Sequence, residues 1–421
     1  MNEMSTAVPR PQNDPPRTGP LAGLRVVELS MYVAAPVCGL LLGDLGAEVI
    51  KVERLPEGDD VRQMSPPEMR GEAASFLVLN RGKRGVAIDA KQPDGLRALK
   101  RLCAGADVLI ENFRPGTLER LGLGYEALRA ENPGLIYASV SGFGLTGPEA
   151  QRPGLDLIAQ AFTGLMSITG EGPGRPPVKV GAPVTDTTAG MLLALGVVAA
   201  HAHKLRTGQG QRVETSLIEA GIMHTVLQSA MTLATGVSPG PLGSAHPLGA
   251  PYQAFACADG WIVIGAQSDG LFRRAMRALD EEAGIGADPH WATSALRIAD
   301  RPALIAALEP VFARLTRADC LARLDAAGVP CGPVHSVGEM LEHPQTRARN
   351  MVVEVAHPDG GAPVPALGCP LKFSATPAVP RGPAPRLGED TAAVLREAGL
   401  DTATLERLRE QGIIRMPEAV A

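Results

Sequence analysis

Short runs of β-branched residues alternate with helical stretches along the first part of the chain. They are LRVVEL from Leu24, EVIKVE ending at Glu53, GVAID (Gly85–Asp89), DVLIE (Asp107–Glu111) and LIYASVS (Leu135–Ser141). The segments between them, Val37–Leu45, Pro93–Ala104 and a stretch near Leu118–Arg129, carry helical patterning. Strands this apolar need cover on both faces, and the helical crossovers let them pair in parallel. The expected fold class is therefore α/β, opening with a βαβ unit.

Two longer helices follow, Leu155–Met166 and one opening at Asp186 and stopping at Thr207-Gly208, where glycine is a natural terminator. A strand, RVETS, leads into another helix, and the chain then turns to Gly, Pro and Ser (TGVSPGPLGSAHPLGAP), as at a boundary or functional loop. Tyr252–Ala266 reads as a β-hairpin turning at Asp259-Gly260, Phe272–Ala327 as helical, and Thr391–Gln411 as an amphipathic helical stretch. With 421 residues, two or three domains are expected, the second a smaller α+β domain.

Net charge is 40 − 45 = −5 and aromatics supply only 3%, so neither an electrostatic footprint nor stacking platforms for nucleic acid exist. The apolar run Met191–His201 is too short to span a bilayer, and no membrane association is expected. Cys38, Cys103, Cys257, Cys320, Cys331 and Cys369 are scattered without a CxxC pair or a secretory leader, which points to the cytoplasm. The first twenty residues, Pro-rich and polar, read as a frayed arm. No metal ligand set stands out.

An acid closing the second strand, Glu53, suggests a dinucleotide site, but the loop after LRVVEL reads SMYVAAPVCG, without the GxGxxG glycines that let backbone approach a pyrophosphate. A GxxxxGK[ST] loop and a GxSxG elbow are missing too. Asp186 precedes TTAGMLL and reads either as a helix N-cap or, by the same physics, as a carboxylate held ionised by the helix dipole and usable as a nucleophile. Asp156 reads as a first-turn acid. Arg54 and Lys91 each follow a strand and Arg114 follows a third, so three cations gather on the strand C-terminal rim where α/β sheets bind ligands, an arrangement suited to a polyphosphate.

Segments from Pro20 to Ile414 resemble, in order, the class III coenzyme A transferase family, which also contains α-methylacyl-CoA racemases. They include LGAEVIKVERLPEGDDVR, LNRGKRGVAIDAK, DVLIENFRPGTLERLGLGYEAL, NPGLIYASVSGFGLTGP, VTDTTAGMLLALGVVAAHAHKLRTGQGQRVETSL and GVPCGPVHSVGEMLEHPQ. The resemblance implies that Asp186 is the nucleophilic aspartate. It also implies that CoA contacts fall at Val33, Ala34, Arg54, Ile88, Asp89, Ala90, Lys91, Asn112, Phe113, Arg114, Arg120 and Arg152. CoA and acyl-CoA would then be substrates, with no tightly bound cofactor and no metal. The implied fold is a Rossmann-like large domain (21–225, completed by 331–421), a small domain (226–330), an arm (1–20), and an interlocked-ring homodimer.

The racemases are similar over the same span but carry His-Asp where this chain reads Leu155-Asp156. Leu155 cannot move a proton, and inversion at an α-carbon needs acid/base groups on both faces, so acyl transfer fits better. A non-catalytic acyl-CoA binder is the alternative of another class, and retention of Asp186 beside TTAG argues against it. The formyl-CoA/oxalate branch has a run of glycines over its site. Here the loop reads GSAHPLGAPYQAF, similar to relatives that move CoA from succinyl-CoA to dicarboxylates, with His246 a candidate for the distal carboxylate.

Overall fold

The computed structural model describes residues 18–69, 71–355 and 362–417. The arm assigned to residues 1–20 lies, up to residue 17, outside them. The main sheet has seven strands: β1 (Arg25–Leu29), β2 (Glu48–Glu53), β3 (Arg84–Ile88), β4 (Val108–Glu111), β5 (Ile136–Ser141), β6 (Arg212–Ser216) and β7 (Ile414–Arg415). Their spatial order is β7-β3-β2-β1-β4-β5-β6. The first six are parallel and β7 is antiparallel. This 3-2-1-4-5-6 order is that of doubly wound α/β sheets, in which connections leave in opposite directions on either side of β1, opening a crevice between β1 and β4.

Strand alternation divides the core. Val26, Val49, Val108 and Ile136 face one way and pack with helix Ala34–Asp44 and helix Val184–Thr207. Val27, Ile50, Leu109 and Tyr137 face the other, against Leu99 and Leu102 of helix Pro93–Ala104 and against Val394, Leu395, Leu405 and Leu408 near the C-terminus. The C-terminal segment also covers the outer edge of β3. Gly85 N–H donates to the Asp390 carboxylate (2.8 Å), Ala87 N–H to Thr391 Oγ1 (3.1 Å) and Asp89 N–H to the Ile413 carbonyl (2.8 Å).

Three stretches expected to be single helices are each two. Leu118–Arg129 becomes Thr117–Arg120 and Tyr125–Glu131, Leu155–Met166 becomes Asp156–Phe162 and Leu165–Ile168, and Thr391–Gln411 becomes Thr391–Glu397 and Thr402–Glu410. Gly122 (φ 69°) and Gly399 (φ 84°) break the first and last, because the left-handed region ends a helix at little cost only for glycine.

The apolar helix around Met191–His201 is longer than the run suggests. Val184–Thr207 has 24 residues and, by length and composition alone, could cross a membrane. Its Ala189, Gly190, Leu193, Ala194, Val197 and Ala200 are buried, which is the pattern of a core helix.

The chain packs as two compact units. One comprises the described residues of Met1–Leu165, Val180–Val226 and Pro344–Ala421, and the other Met166–Lys179 and Leu227–His343. The second therefore takes in a short segment before residue 180 and runs beyond residue 330. It holds the hairpin Tyr252–Cys257 and Gly260–Gly265, joined by Cys331–Pro333 in a three-stranded antiparallel sheet. The sheet packs on Phe272, Leu304, Leu308 and Phe312.

Candidate active site

The C-terminal ends of β3, β2, β1 and β4 form a continuous rim, and the loops leaving it carry most of the residues singled out in the sequence. After β1, Ser30–Val33 leads into helix Ala34–Asp44, whose N-cap, Val33, has no side-chain cap. Arg54, after β2, pairs with Asp60 and lies 3.6 Å from the Met31 sulfur. Ile88 is buried at the end of β3, while the Asp89 carboxylate accepts from the Lys91 N–H at 3.0 Å, turning the chain at Ala90 and leaving Lys91 exposed. After β4, Phe113 N–H donates to the Glu111 carboxylate (2.9 Å), and Arg114 is exposed beside a cavity of about 280 Å³ shared with Glu111, Tyr137 and Ser139. Arg120 donates to Thr117 Oγ1 at 3.2 Å. Arg152, in the loop after β5, pairs with Glu149 (3.2 Å) over the Phe143 ring.

The SMYV loop has no glycine, and buried side chains hold it instead. Glu28 and Lys51 are register partners on β1 and β2, both fully buried, 3.3 Å apart. Lys51 also binds Asp59 (2.8 Å) and donates to the Ser30 carbonyl (3.1 Å), and Lys83 binds Glu28 (2.8 Å) and donates to the Pro36 carbonyl (3.0 Å). Asp59 accepts from the N–H of Tyr32 (3.2 Å), which sits at φ 67°. Burial opposes charge on Glu28, but the two lysines outweigh it and hold its carboxyl below the usual range; burial, only partly offset by Glu28, draws Lys83 down to about 8. Glu53, the candidate ribose acid, is occupied by Arg62 (2.7 Å) and by the N–H of Asp59 (2.9 Å). Sequence reasoning missed this cluster, although opposite charges at matching positions of two apolar strands are a readable signal.

Asp186 is not an N-cap. The helix begins at Val184 after Pro183, which supplies no side-chain cap, so Asp186 stands in the first turn. Burial and the nearby Asp156 carboxylate push its pKa up to about 7, overturning the expectation that the helix terminus keeps it ionised. Its turn is fastened by Asp156, whose carboxylate accepts from Thr185 N–H (3.0 Å), Thr185 Oγ1 (2.8 Å) and Gln160 Nε2 (2.7 Å). Gln160 Oε1 in turn accepts from Val180 N–H at 2.9 Å. Asp156 is set by a crossing of bare backbones, since a Cβ on Gly154 would lie 2.5 Å from the Gly142 Cα. One turn beyond Asp186, Gly190 seats the helix on Ala34 and Val37, so the carboxylate's helix abuts the segment that follows the SMYV loop.

In the second unit, His246 is held by its own loop. Its Nδ1 accepts from Leu248 N–H (3.1 Å) and its ring stacks on Tyr252 at 5.0 Å, which leaves Nε2 as the nitrogen able to donate.

A parallel sheet with an anchored loop at its crevice, a cationic rim and a carboxylate on an adjoining helix makes an α/β enzyme site for an anionic ligand. A family model described as CoA-transferase family III matches residues 21–391. The chain is 39% identical over 392 residues to the succinate–glutarate CoA-transferase of Agrobacterium fabrum, covering 91% of this chain and 96% of that one. It is 38% identical over 397 residues to the succinyl-CoA:mesaconate CoA-transferase of Haloarcula hispanica (92% and 98%). A crystal structure of a CaiB/BaiF family protein from Brucella suis superposes with a TM-score of 0.81 at 40% identity, covering 91% of this chain and all of that one. The chain belongs to CoA-transferase family III and is a class III CoA-transferase.

Proposed function

We propose that the protein moves CoA from succinyl-CoA to a second dicarboxylate, with Asp186 as the covalent nucleophile. The observation that carries this reading is the placing of Asp186: half-buried, in a turn fixed by Asp156, on a helix seated beside the β1 loop. The relatives that act on succinate and glutarate or on succinyl-CoA and mesaconate supply the substrate class.

The Asp186 carboxylate attacks the thioester carbonyl, and the C–S bond breaks to give an aspartyl-acyl anhydride and CoA thiolate. The thiolate then attacks the aspartyl carbonyl, releasing the donor acid as its carboxylate and leaving an aspartyl-CoA thioester. An acceptor carboxylate reverses both steps, so one thioester is exchanged for another and CoA is a substrate throughout. The anhydride and thioester are both hydrolysable, which requires water to be kept out. The basic residues of the rim, Arg54, Lys91, Arg114, Arg120 and Arg152, suit the CoA phosphates, and His246 Nε2 suits the distal carboxylate.

We also propose the homodimer. On helix Val184–Thr207, Met191, Leu195, Val198 and Leu205 are exposed (37–74%) along one apolar face opposite the core, a stripe that a second copy would cover. The two compact units support a large domain completed by the C-terminal segment and a small domain between. The six free thiols accord with a cytoplasmic setting.

The test is purified protein with succinyl-CoA and a panel of acceptor acids, read as new acyl-CoA. Exchange with glutarate, mesaconate or another dicarboxylate, lost in Asp186→Ala, is expected. Absence of exchange with every dicarboxylate would overturn the substrate assignment, and more than about a hundredth of wild-type rate in Asp186→Ala would overturn the nucleophile.

A further inference from the structure

Asn112 follows β4, on the opposite side of the sheet's crevice from β2, and its side-chain amide makes two bonds to one residue. Oδ1 accepts from Met31 N–H at 3.0 Å and Nδ2 donates to the Met31 carbonyl at 2.7 Å. A primary amide that takes the N–H and the C=O of one residue mimics a strand neighbour, and it ties the β1 loop to β4 just past the last register pair, Leu29↔Glu111. Three further bonds hold the same segment: Lys51 to the Ser30 carbonyl, the Tyr32 N–H to Asp59, and Lys83 to the Pro36 carbonyl. The loop and the helix turn after it are thus fixed from β4 on one side and, on the other, from Lys51 of β2, from Asp59 beyond β2 and from Lys83 just before β3. This replaces the glycines by which dinucleotide-binding loops bring backbone up to a phosphate, and the strained φ of Tyr32 is sustained by those partners.

We propose that Asn112 is a positioning residue. It holds Met31, and through it the Tyr32–Ala34 segment beside the Asp186 helix, in the conformation that receives acyl-CoA, and its amide does not itself contact CoA. This rests on the proposed placing of CoA at the rim. It also separates Asn112 from Phe113 and Arg114, since one lone pair and one N–H of the amide are directed across the crevice into Met31.

The experiment compares wild-type, Asn112→Ala and Asn112→Asp by amide hydrogen exchange of residues 31–34 in ligand-free protein, by CoA affinity, and by steady-state kinetics. Asn112→Ala loses both bonds and should speed exchange at residues 31–34 at least tenfold without ligand. It should raise Kd for CoA and KM for acyl-CoA by about tenfold, with kcat within about threefold, the scale of two ordinary hydrogen bonds. Asn112→Asp keeps the acceptor for Met31 N–H but places a carboxylate oxygen against the Met31 carbonyl, so its loop should also loosen while the protein stays folded. If either variant weakens CoA binding while loop exchange is unchanged, Asn112 is a direct contact and the inference is overturned. Unchanged exchange and unchanged affinity overturn it as well. Failure of the wild-type protein to transfer CoA to any acceptor would instead count against the succinyl-CoA reading, since the loop and affinity measurements need no acceptor.

Discussion

Gly190 lies so close to Ala34 that a Cβ at position 190 would sit 2.4 Å from the Ala34 carbonyl oxygen and 2.8 Å from Val37 Cβ. The contact is backbone on backbone, between the helix bearing Asp186 and the helix that opens after the β1 loop. It sets the separation between the Asp186 turn and the crevice, and no rotamer change can relieve an added methyl.

Gly190→Ala is therefore expected to destabilise the protein by about 1–3 kcal/mol from overpacking, despite a gain of about 1 kcal/mol in helix propensity. Transfer should slow as well. Thermal melts beside Gly240→Ala, where a Cβ would meet nothing, check the claim. A Gly190→Ala protein more stable than wild type would refute it.

The rate should depend on pH through Asp186. In the proposed mechanism only the carboxylate attacks, and its pKa is raised to about 7, so kcat/KM is expected to climb as pH rises from 5 and to level off above about 7. An acid limb near pH 4 would show that burial does not act on this group.

Stability carries the opposite sign. Between the unfolded value of 3.8 and about 7 the folded protein holds a proton that the unfolded chain releases, so the contribution of Asp186 to stability falls as pH rises. The slope is at most about 1.4 kcal/mol per pH unit. Asp186→Asn has no such proton, and its melting temperature should gain on wild type from pH 5 to pH 7. A melting-temperature difference, variant minus wild type, that falls over that range contradicts the assignment.

Asp156 acts on Asp186 in two ways, by anchoring Thr185 and by its charge. Asp156→Asn, which retains an oxygen for Thr185, should shift the acid limb toward lower pH, because it removes the second of the two causes that raise Asp186. Asp156→Ala loses the anchor too and should cost about a hundredfold in kcat. Equal pH profiles in wild type and Asp156→Asn would exclude the electrostatic part.

Lys51→Met should cost about 3–5 kcal/mol, since buried Asp59 would lose its cation and buried Glu28 would keep only Lys83. Urea unfolding measures it, and a loss under 1 kcal/mol would show that the cluster is not held as charges.

Strands β1 to β5 were legible because buried parallel strands are continuous apolar runs, the two-residue β7 was not because it is too short to show a pattern, and Pro93–Ala104 was legible because proline opens it. The helix breaks at Gly122, Gly164 and Gly399 were not, because glycine inside a periodic run is tolerated as often as it terminates. The family was legible in the number and order of its segments, from LGAEVIKVERLPEGDDVR to GVPCGPVHSVGEMLEHPQ. The ionisation of Asp186 was not, because it depends on where the helix starts, on burial and on an acid thirty positions upstream in the sequence, Asp156. Lys51 was not singled out, and Asn112 was read only as a ligand contact, with no sign of its bonds to the β1 loop. Their partners, Asp59, Glu28 and Met31, come together only once β1, β2 and β4 are side by side.

The edge of β3 is closed by Asp390, Thr391 and Ile413, which are made long after the rest of the sheet. On the ribosome, β1 to β6 are available while the N–H groups of Gly85, Ala87 and Asp89 still lack these partners. A nascent or truncated chain thus presents an open β3 edge that can recruit a foreign strand, and in the finished chain that edge is covered. Synthesis of the C-terminal segment is therefore the event that converts a sticky intermediate into an enzyme, and truncation before Asp390 should yield aggregates instead of a slower catalyst.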